Sequence, residues 1–399
     1  MRGKNTIPIF ISIGCLFAGM AASCGSRQIA PYTVGCTIQQ MGGIPKEEAG
    51  FPLGVSACYA GMIGDRMIIA GGCNFPEIPA AEGGKKRFYK GIYVAERATD
   101  SLFQWRKIGE LPIAAAYGAS LSIPGGLILA GGVSPDGTLS SVYRLSLSED
   151  GQEVNLDTLS SLPFTMDNMA GATAGNMLFL MGGNVNGKPS ASLYSFDYGK
   201  PGSSWVQEAP FPGEARIQPV CVAQDREGVQ VYVWGGFAPS VDGKPATLSI
   251  DGYCYLPDKQ TWTPVAAPVG SDSVAVSLGG GIAYVLNDSM IVCTGGVNKE
   301  VFLSALRREA MLKNADPLRV DSLKGVIKEY MTRPPEFYQF NDKILVYYTK
   351  RNAWIEAGQS PAVARAGAAV VGVDSTFYSI YGELKPGIRT PEINKITIE

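Results

Sequence analysis

Glu383 and Arg389 stand six residues apart in the stretch Tyr381-Gly382-Glu383-Leu384-Lys385-Pro386-Gly387-Ile388-Arg389-Thr390. A carboxylate can take a proton and a guanidinium can hold an anion, so the pair has the parts for acid–base work on a charged ligand. The arginine stays protonated and cannot itself be the base. The apolar run just before it, Ser375 to Ile380, reads as a strand, and Lys-Pro-Gly reads as a turn. Both side chains therefore belong to one loop at the end of a strand. On a loop, such a pair is as readily a solvated ion pair. Its meaning depends on where the loop falls in the fold.

A repeat answers that. An apolar run followed by Gly-Gly recurs with first glycines at Gly71, Gly131, Gly182, Gly235 and Gly295, and a degenerate copy ends in Tyr381-Gly382. Each unit continues with a Tyr-bearing strand (Tyr93, Tyr194), a strand that often carries Trp (Trp105, Trp205, Trp262, Trp354) and a Pro-marked turn. This order resembles the kelch repeat, and kelch repeats build β-propellers. The fold expected is all-β, a six-bladed kelch-type propeller over residues 25–399. Its last unit ends at Ile398 and lacks a fourth strand, whereas Cys36 to Met41 looks like a fourth strand with nothing before it. The N-terminal strand is therefore expected to pair into the last blade and close the ring, removing two open sheet edges.

Composition narrows the chemistry. The 399 residues contain no histidine, which excludes a His-ligated metal, a Ser-His-Asp triad and a Cys-His dyad. A net charge of −2 and the lack of a basic patch argue against nucleic acid as a partner. Arg2 and Lys4, an apolar run from Ile7 to Met20, and Ala21-Ala22-Ser23-Cys24 resemble a bacterial lipoprotein signal. Residues 1–24 are read as this signal peptide, with Cys24 the lipidated residue and the only tie to a membrane. An ordinary secretory signal is the alternative, and either implies export. Six cysteines follow (Cys36, Cys58, Cys73, Cys221, Cys254, Cys293), in no metal-binding spacing, and read as buried free thiols.

Loops on a propeller alternate between two faces. Those that follow second strands share a face with the connections between blades. Glu383 and Arg389 lie on that face. So do Asn74 and Phe75, Asn184, Phe237 and Asn298, together with Asp167, Asn168, Arg216, Asp272 and Arg365 from the connections. Arg216, Arg365 and Asn74 are the further candidates to bind a substrate. Blade five carries a long insertion, 297–336, in which Val301 to Leu312 has helical spacing. It is expected to act either as a lid over the site or as a strut on the rim.

The loop Gly382 to Thr390 resembles the signature loop of the bacterial N-acetylneuraminate epimerases, the sialic acid mutarotases, which are six-bladed kelch propellers of the periplasm. The flanks 335–341 and 354–361 and the blade-one segment 60–72 resemble that family too. In those epimerases the blade with the Gly-Glu loop precedes the blades that resemble residues 55–147. Here it comes last, so the chain looks cyclically permuted by two blades. The resemblance implies Glu383 as proton acceptor, Arg389 as its neighbour in the site and a sugar acid, sialic acid, as the small-molecule partner. It also implies location in the periplasm or at the outer membrane of a Gram-negative bacterium. Opening and reclosing a hemiketal ring needs no metal and no cofactor, so none is expected. Tyr117 and Lys385 are further groups able to give a proton. A non-catalytic propeller that binds a glycan or protein is the alternative. A sialidase is set aside because its repeated Ser-x-Asp-x-Gly-x-Thr-Trp turn is approached once only, at Ser134 to Thr138 and without the Trp. A kelch copper oxidase is set aside for want of histidine.

Overall fold

Gly-Gly recurs because each blade needs close backbone contact with the next. At Gly71 and Gly72 φ is +63° and +99°, and a Cβ on Gly71 would sit 2.3 Å from the Ala115 carbonyl oxygen. The freed space lets Gly72 N–H donate to that same carbonyl in the connection to blade two, at 2.8 Å. The same bond recurs at Gly132, Gly183, Gly296 and Gly382. In blade six Tyr381 takes the place of the first glycine and adopts φ +56°.

The computed structural model describes residues 34–240 and 244–399; the expected signal peptide, residues 1–24 with Cys24, lies outside them. Six antiparallel sheets, each with a path of four strands and one with a short fifth strand, form the six blades of a kelch-type propeller. Blade one is Tyr59–Ile63, Arg66–Ala70, Gly91–Thr99 and Leu102–Glu110. Blade six is Ala369–Val373, Thr376–Ile380, Ile393–Ile398 and, as its fourth strand, Cys36–Met41. The closing strand pairs antiparallel from Cys36↔Ile398 to Met41↔Ile393. Ring closure thus follows the order read from the sequence.

The Tyr and Trp residues of the repeat fill the spaces between blades. Trp234 of blade four is wholly buried and meets Tyr347 and Trp354 of blade five edge-on, with centroids 4.9 and 5.1 Å away. All six described cysteines are free, and all but Cys36 are buried.

Two features of the site-bearing face position chemistry. In five blades the loop after the second strand opens as a short hairpin, for example Cys73–Asn74 against Arg87–Phe88 and Glu383–Lys385 against Ile388–Arg389. Blade five has helices instead: α1 (Lys299–Lys313), capped by Asn298, and α2 (Val320–Thr332). Sequence reading finds α1 and misses α2, whose central Gly325 and β-branched Val320, Val326 and Ile327 weaken its helical signature. Phe302 of α1 packs on Phe237 of the blade-four hairpin at 4.7 Å, and α2 touches the Ala80–Glu82 turn in the blade-one loop. The insertion is anchored on both flanks, as a strut would be.

A collar of backbone hydrogen bonds encircles the central channel. One residue per blade takes part, each with positive φ: Ala57, Tyr117, Asn168, Gln218, Gly280 and Gly367. Tyr117 N–H donates to Ala57 O, Asn168 to Tyr117, Gln218 to Asn168, Gly280 to Gln218, Gly367 to Gly280 and Ala57 to Gly367, all at 2.7–2.9 Å. Below it the first strands line a channel of about 210 Å³.

Candidate active site

Glu383 and Arg389 are direct cross-strand partners in the blade-six hairpin, so their side chains leave the same face. The turn between them depends on Gly387, at φ +80°, where a Cβ would lie 2.5 Å from that of Ala80 in the blade-one loop. Glu383 is fixed from below: its N–H donates to Ala366 O at 2.7 Å and its carbonyl accepts from Ala366 N–H at 3.0 Å. Its Oε1 accepts from Gly387 N–H at 2.7 Å and from Arg389 Nη1 at 3.3 Å. Oε2 accepts no hydrogen bond from the described residues. One carboxylate oxygen is thus oriented and the other uncommitted.

Arg389 is almost wholly enclosed, its side chain 3% exposed. Nε donates to Ser56 Oγ at 3.1 Å, and the guanidinium lies over the Phe75 ring at 5.1 Å. Burial works against its charge, but Glu383, Tyr117 and Cys73 outweigh that and hold its pKa above the ordinary arginine value. It is a permanent cation beside the carboxylate.

Tyr117 completes the group. It comes from the connection between blades one and two, and its hydroxyl accepts from Lys86 Nζ at 3.0 Å. The ammonium also stands 4.7 Å from the Tyr117 ring centroid. Burial, and then Cys73, push the phenol's pKa well up; Arg389 opposes this and Glu383 adds to it. Across the mouth, the collar residues of blades three and four carry an amide network. Asp167 accepts from Asn168 Nδ2 at 2.6 Å, Asn184 Nδ2 at 2.8 Å and Thr138 Oγ1 at 3.1 Å. Gln218 Nε2 donates to Asn168 Oδ1 at 2.7 Å. Collar positions in blades five and six are the glycines Gly280 and Gly367.

Three sequence-derived site candidates have other work. Arg216 is buried, pairs with Asp251 at 2.7 Å, donates to the carbonyls of Gly235 and Glu214 at 3.0 Å each, and stacks on Phe211 at 4.5 Å. Arg365 does the equivalent in blade six, donating to Tyr381 O at 2.9 Å, Glu392 O at 3.2 Å and Glu392 Oε2 at 3.2 Å. Both guanidinium groups tie the end of a second strand to the start of a third, so neither is a substrate ligand. A signal was present: an acid, Asp251 or Glu392, stands just before the third strand in both blades. Asn74 is 2% exposed, with Nδ2 donating to Gly50 O and Gly54 O and Oδ1 accepting from Tyr89. It supports the floor under Phe75 and offers nothing to a ligand. Lys385 turns away, its Nζ donating to Arg333 O at 2.7 Å. Lys86 and Ser56 are the site residues that sequence reasoning missed.

A family model described as N-acetylneuraminate epimerase matches residues 159–399. The N-acetylneuraminate epimerase of Salmonella arizonae is 34% identical over 239 residues, 59% of this chain and 57% of that protein. That of Salmonella enteritidis is 32% identical over 238 residues, with the same coverage. For Brucella melitensis the figures are 29% over 240 residues, 59% of this chain and 58% of that protein. This chain therefore spans a little over half the length of the relatives it matches. The solved "Structure of YjhT" aligns over 59% of this chain and 64% of its own, at 25% identity and a TM-score of 0.49.

Proposed function

The chain belongs to the N-acetylneuraminate epimerase family, and from that premise we propose that it interconverts the α and β anomers of N-acetylneuraminate by opening and reclosing the sugar ring. One observation carries the reading: Glu383 and Arg389 face each other across a hairpin, with one carboxylate oxygen uncommitted.

Sialic acid is a 2-keto sugar acid closed as a hemiketal. Glu383 Oε2 takes the proton of the anomeric hydroxyl as the bond from the anomeric carbon to the ring oxygen breaks. The ring oxygen gains a proton, and the freed hydroxyl re-adds to the other face of the ketone. Arg389 uses Nε on Ser56 and Nη1 on Glu383, and keeps further N–H groups for the substrate carboxylate. A two-blade permutation accords with the family match. If the first two blades here correspond to the relatives' last two, a collinear match begins near the third blade, and it begins at residue 159. The apolar leader and Cys24 support an enzyme that meets its sugar outside the cytoplasm.

Proton NMR of freshly released α-N-acetylneuraminate tests the reading, by following the C3 protons at slightly acidic pH with and without the mature chain. Faster approach to an unchanged equilibrium is expected. Glu383→Gln should cut kcat by about 10²–10⁴-fold, the usual worth of a positioned general base. Near-normal turnover in that variant would remove Glu383 as the base. No acceleration by the wild type would leave a propeller that binds without catalysis.

A further inference from the structure

Ring opening needs a proton donor as well as a base, and the epimerase reading leaves that donor unnamed. We propose that Tyr117 gives its proton to the ring oxygen and that Lys86 holds the phenolate that remains. The assignment rests on the epimerase reading and adds a second catalytic residue to it.

The geometry is a row of three groups. Glu383 meets Arg389 at 3.3 Å, and the Phe75 ring lies 5.1 Å from the Arg389 guanidinium and 6.0 Å from the ammonium of Lys86, which holds the Tyr117 hydroxyl. The anomeric carbon of a 2-keto sugar acid carries three oxygen-bearing substituents: the hydroxyl, the ring oxygen and the carboxylate. A carboxylate seated on the central Arg389 places the other two toward the groups on either side. Glu383 then faces one oxygen as base, and Tyr117 faces the other as acid.

Lys86 explains how a phenol serves. Its Nζ already donates to Tyr117 Oη at 3.0 Å, so the hydroxyl proton is free to point elsewhere. As that proton leaves, the ammonium stands against the developing negative charge. Burial keeps the phenol neutral beforehand, so it holds a proton to give.

The cycle balances. Glu383 gains the anomeric proton, Tyr117 loses its own, and the bond to the ring oxygen breaks as the ketone forms. On reclosure the sugar hydroxyl attacks the other face and returns its proton to the phenolate. Glu383 returns its proton to the new anomeric oxygen.

Wild type, Tyr117→Phe, Lys86→Met and Lys86→Arg are compared in the NMR assay, with calorimetric binding of N-acetylneuraminate. Tyr117→Phe should lower kcat by about 100-fold or more while KM and Kd move less than about threefold. Lys86→Met should lower kcat by about tenfold, and Lys86→Arg should restore most of that, which a purely structural lysine would not require. Tyr117→Phe retaining a third of wild-type kcat, or losing only affinity, overturns the assignment. If Tyr117→Phe does not fold, the exposed Lys86 decides, and unchanged kcat in Lys86→Met overturns it too. An inactive wild type refutes the epimerase reading and this assignment with it. An active wild type with an active Tyr117→Phe refutes this assignment alone.

Discussion

Arg365→Met separates a guanidinium that serves the fold from one that serves the substrate. The Arg365 side chain is 1% exposed and donates to the carbonyls of Tyr381, Glu392 and Ala362 as well as to the Glu392 carboxylate. Methionine keeps much of the apolar stem but leaves those carbonyls without their donor. Breaking a fully buried ion pair costs about 3–5 kcal/mol. Glu392 is 41% exposed and regains water, which reduces the loss. About 2–4 kcal/mol is expected, a large share of a typical domain's stability. Urea unfolding followed by tryptophan fluorescence measures that, and anomerisation kinetics well below the transition measure the site. KM should stay within about threefold, because the guanidinium is spent on the backbone and on Glu392. A modest fall in kcat is expected, since Tyr381 directly precedes Gly382 and Glu383. Arg216→Met, with the equivalent set of bonds in blade four, should lose similar stability with kcat intact. A rise of about tenfold in KM for Arg365→Met at unchanged stability would refute the reasoning and restore Arg365 as a substrate ligand.

Two further changes test other parts of the account. Gly387→Ala puts a Cβ at φ +80° and 2.5 Å from that of Ala80, and disturbs the N–H that holds Glu383 Oε1. It should cost about 1–2 kcal/mol in backbone strain alone and lower kcat. Adding Ala80→Gly should relieve the clash but not the strain, so full recovery in kinetics and melting would contradict this. Acid stability depends on Glu356. Burial pushes its carboxyl up, but Ser271 and Lys343 outweigh that and leave its pKa lowered. Its contribution is therefore present above the unfolded value, about 4.3, and is lost as pH falls through the lower folded value. Thermal melts between pH 3 and 7 should show a shallower acid limb in Glu356→Gln, and an equally steep one would count against the pair with Lys343.

The parts legible in the sequence are those that leave one residue type no substitute. A Cβ on Gly71 would strike the connection to blade two and one on Gly72 would strike Val55 at the entry to blade one, so the blade count can be read from them. Cys36 to Met41, which reads as a fourth strand followed by its Pro turn, announces the closure. Glu383 and Arg389 are legible as a loop pair. Their cross-strand register is not, because it depends on a bulge between Glu383 and Lys385. The buried arginines mislead for a physical reason: a guanidinium is equally suited to a carboxylate ligand and to a cluster of backbone carbonyls. Only the Asp251 and Glu392 positions distinguish the uses. Lys86 is invisible because its partner, Tyr117, lies 31 residues on and in another blade's connection.

The seam of the ring and the site coincide, and this links stability to chemistry. Arg389 and Ser56 are 333 residues apart in the chain yet share a hydrogen bond. Ser56, Phe75, Lys86 and Tyr117 come from blade one and its connections, whereas Glu383 and Arg389 come from blade six. Gly382 N–H to Val55 O at 2.9 Å and Ala57 N–H to Gly367 O at 2.7 Å bind the same two blades. What keeps blade six whole is the strand Cys36–Met41, the most N-terminal element described, lying on the most C-terminal, Ile393–Ile398. In a closed ring, opening the chain at a different junction preserves every blade's neighbours, so a permuted order need not disturb such a site. The price falls on the closing strand: in this chain, Glu383 and Arg389 keep their register with Tyr117 and Lys86 only while Cys36–Met41 stays paired with Ile393–Ile398.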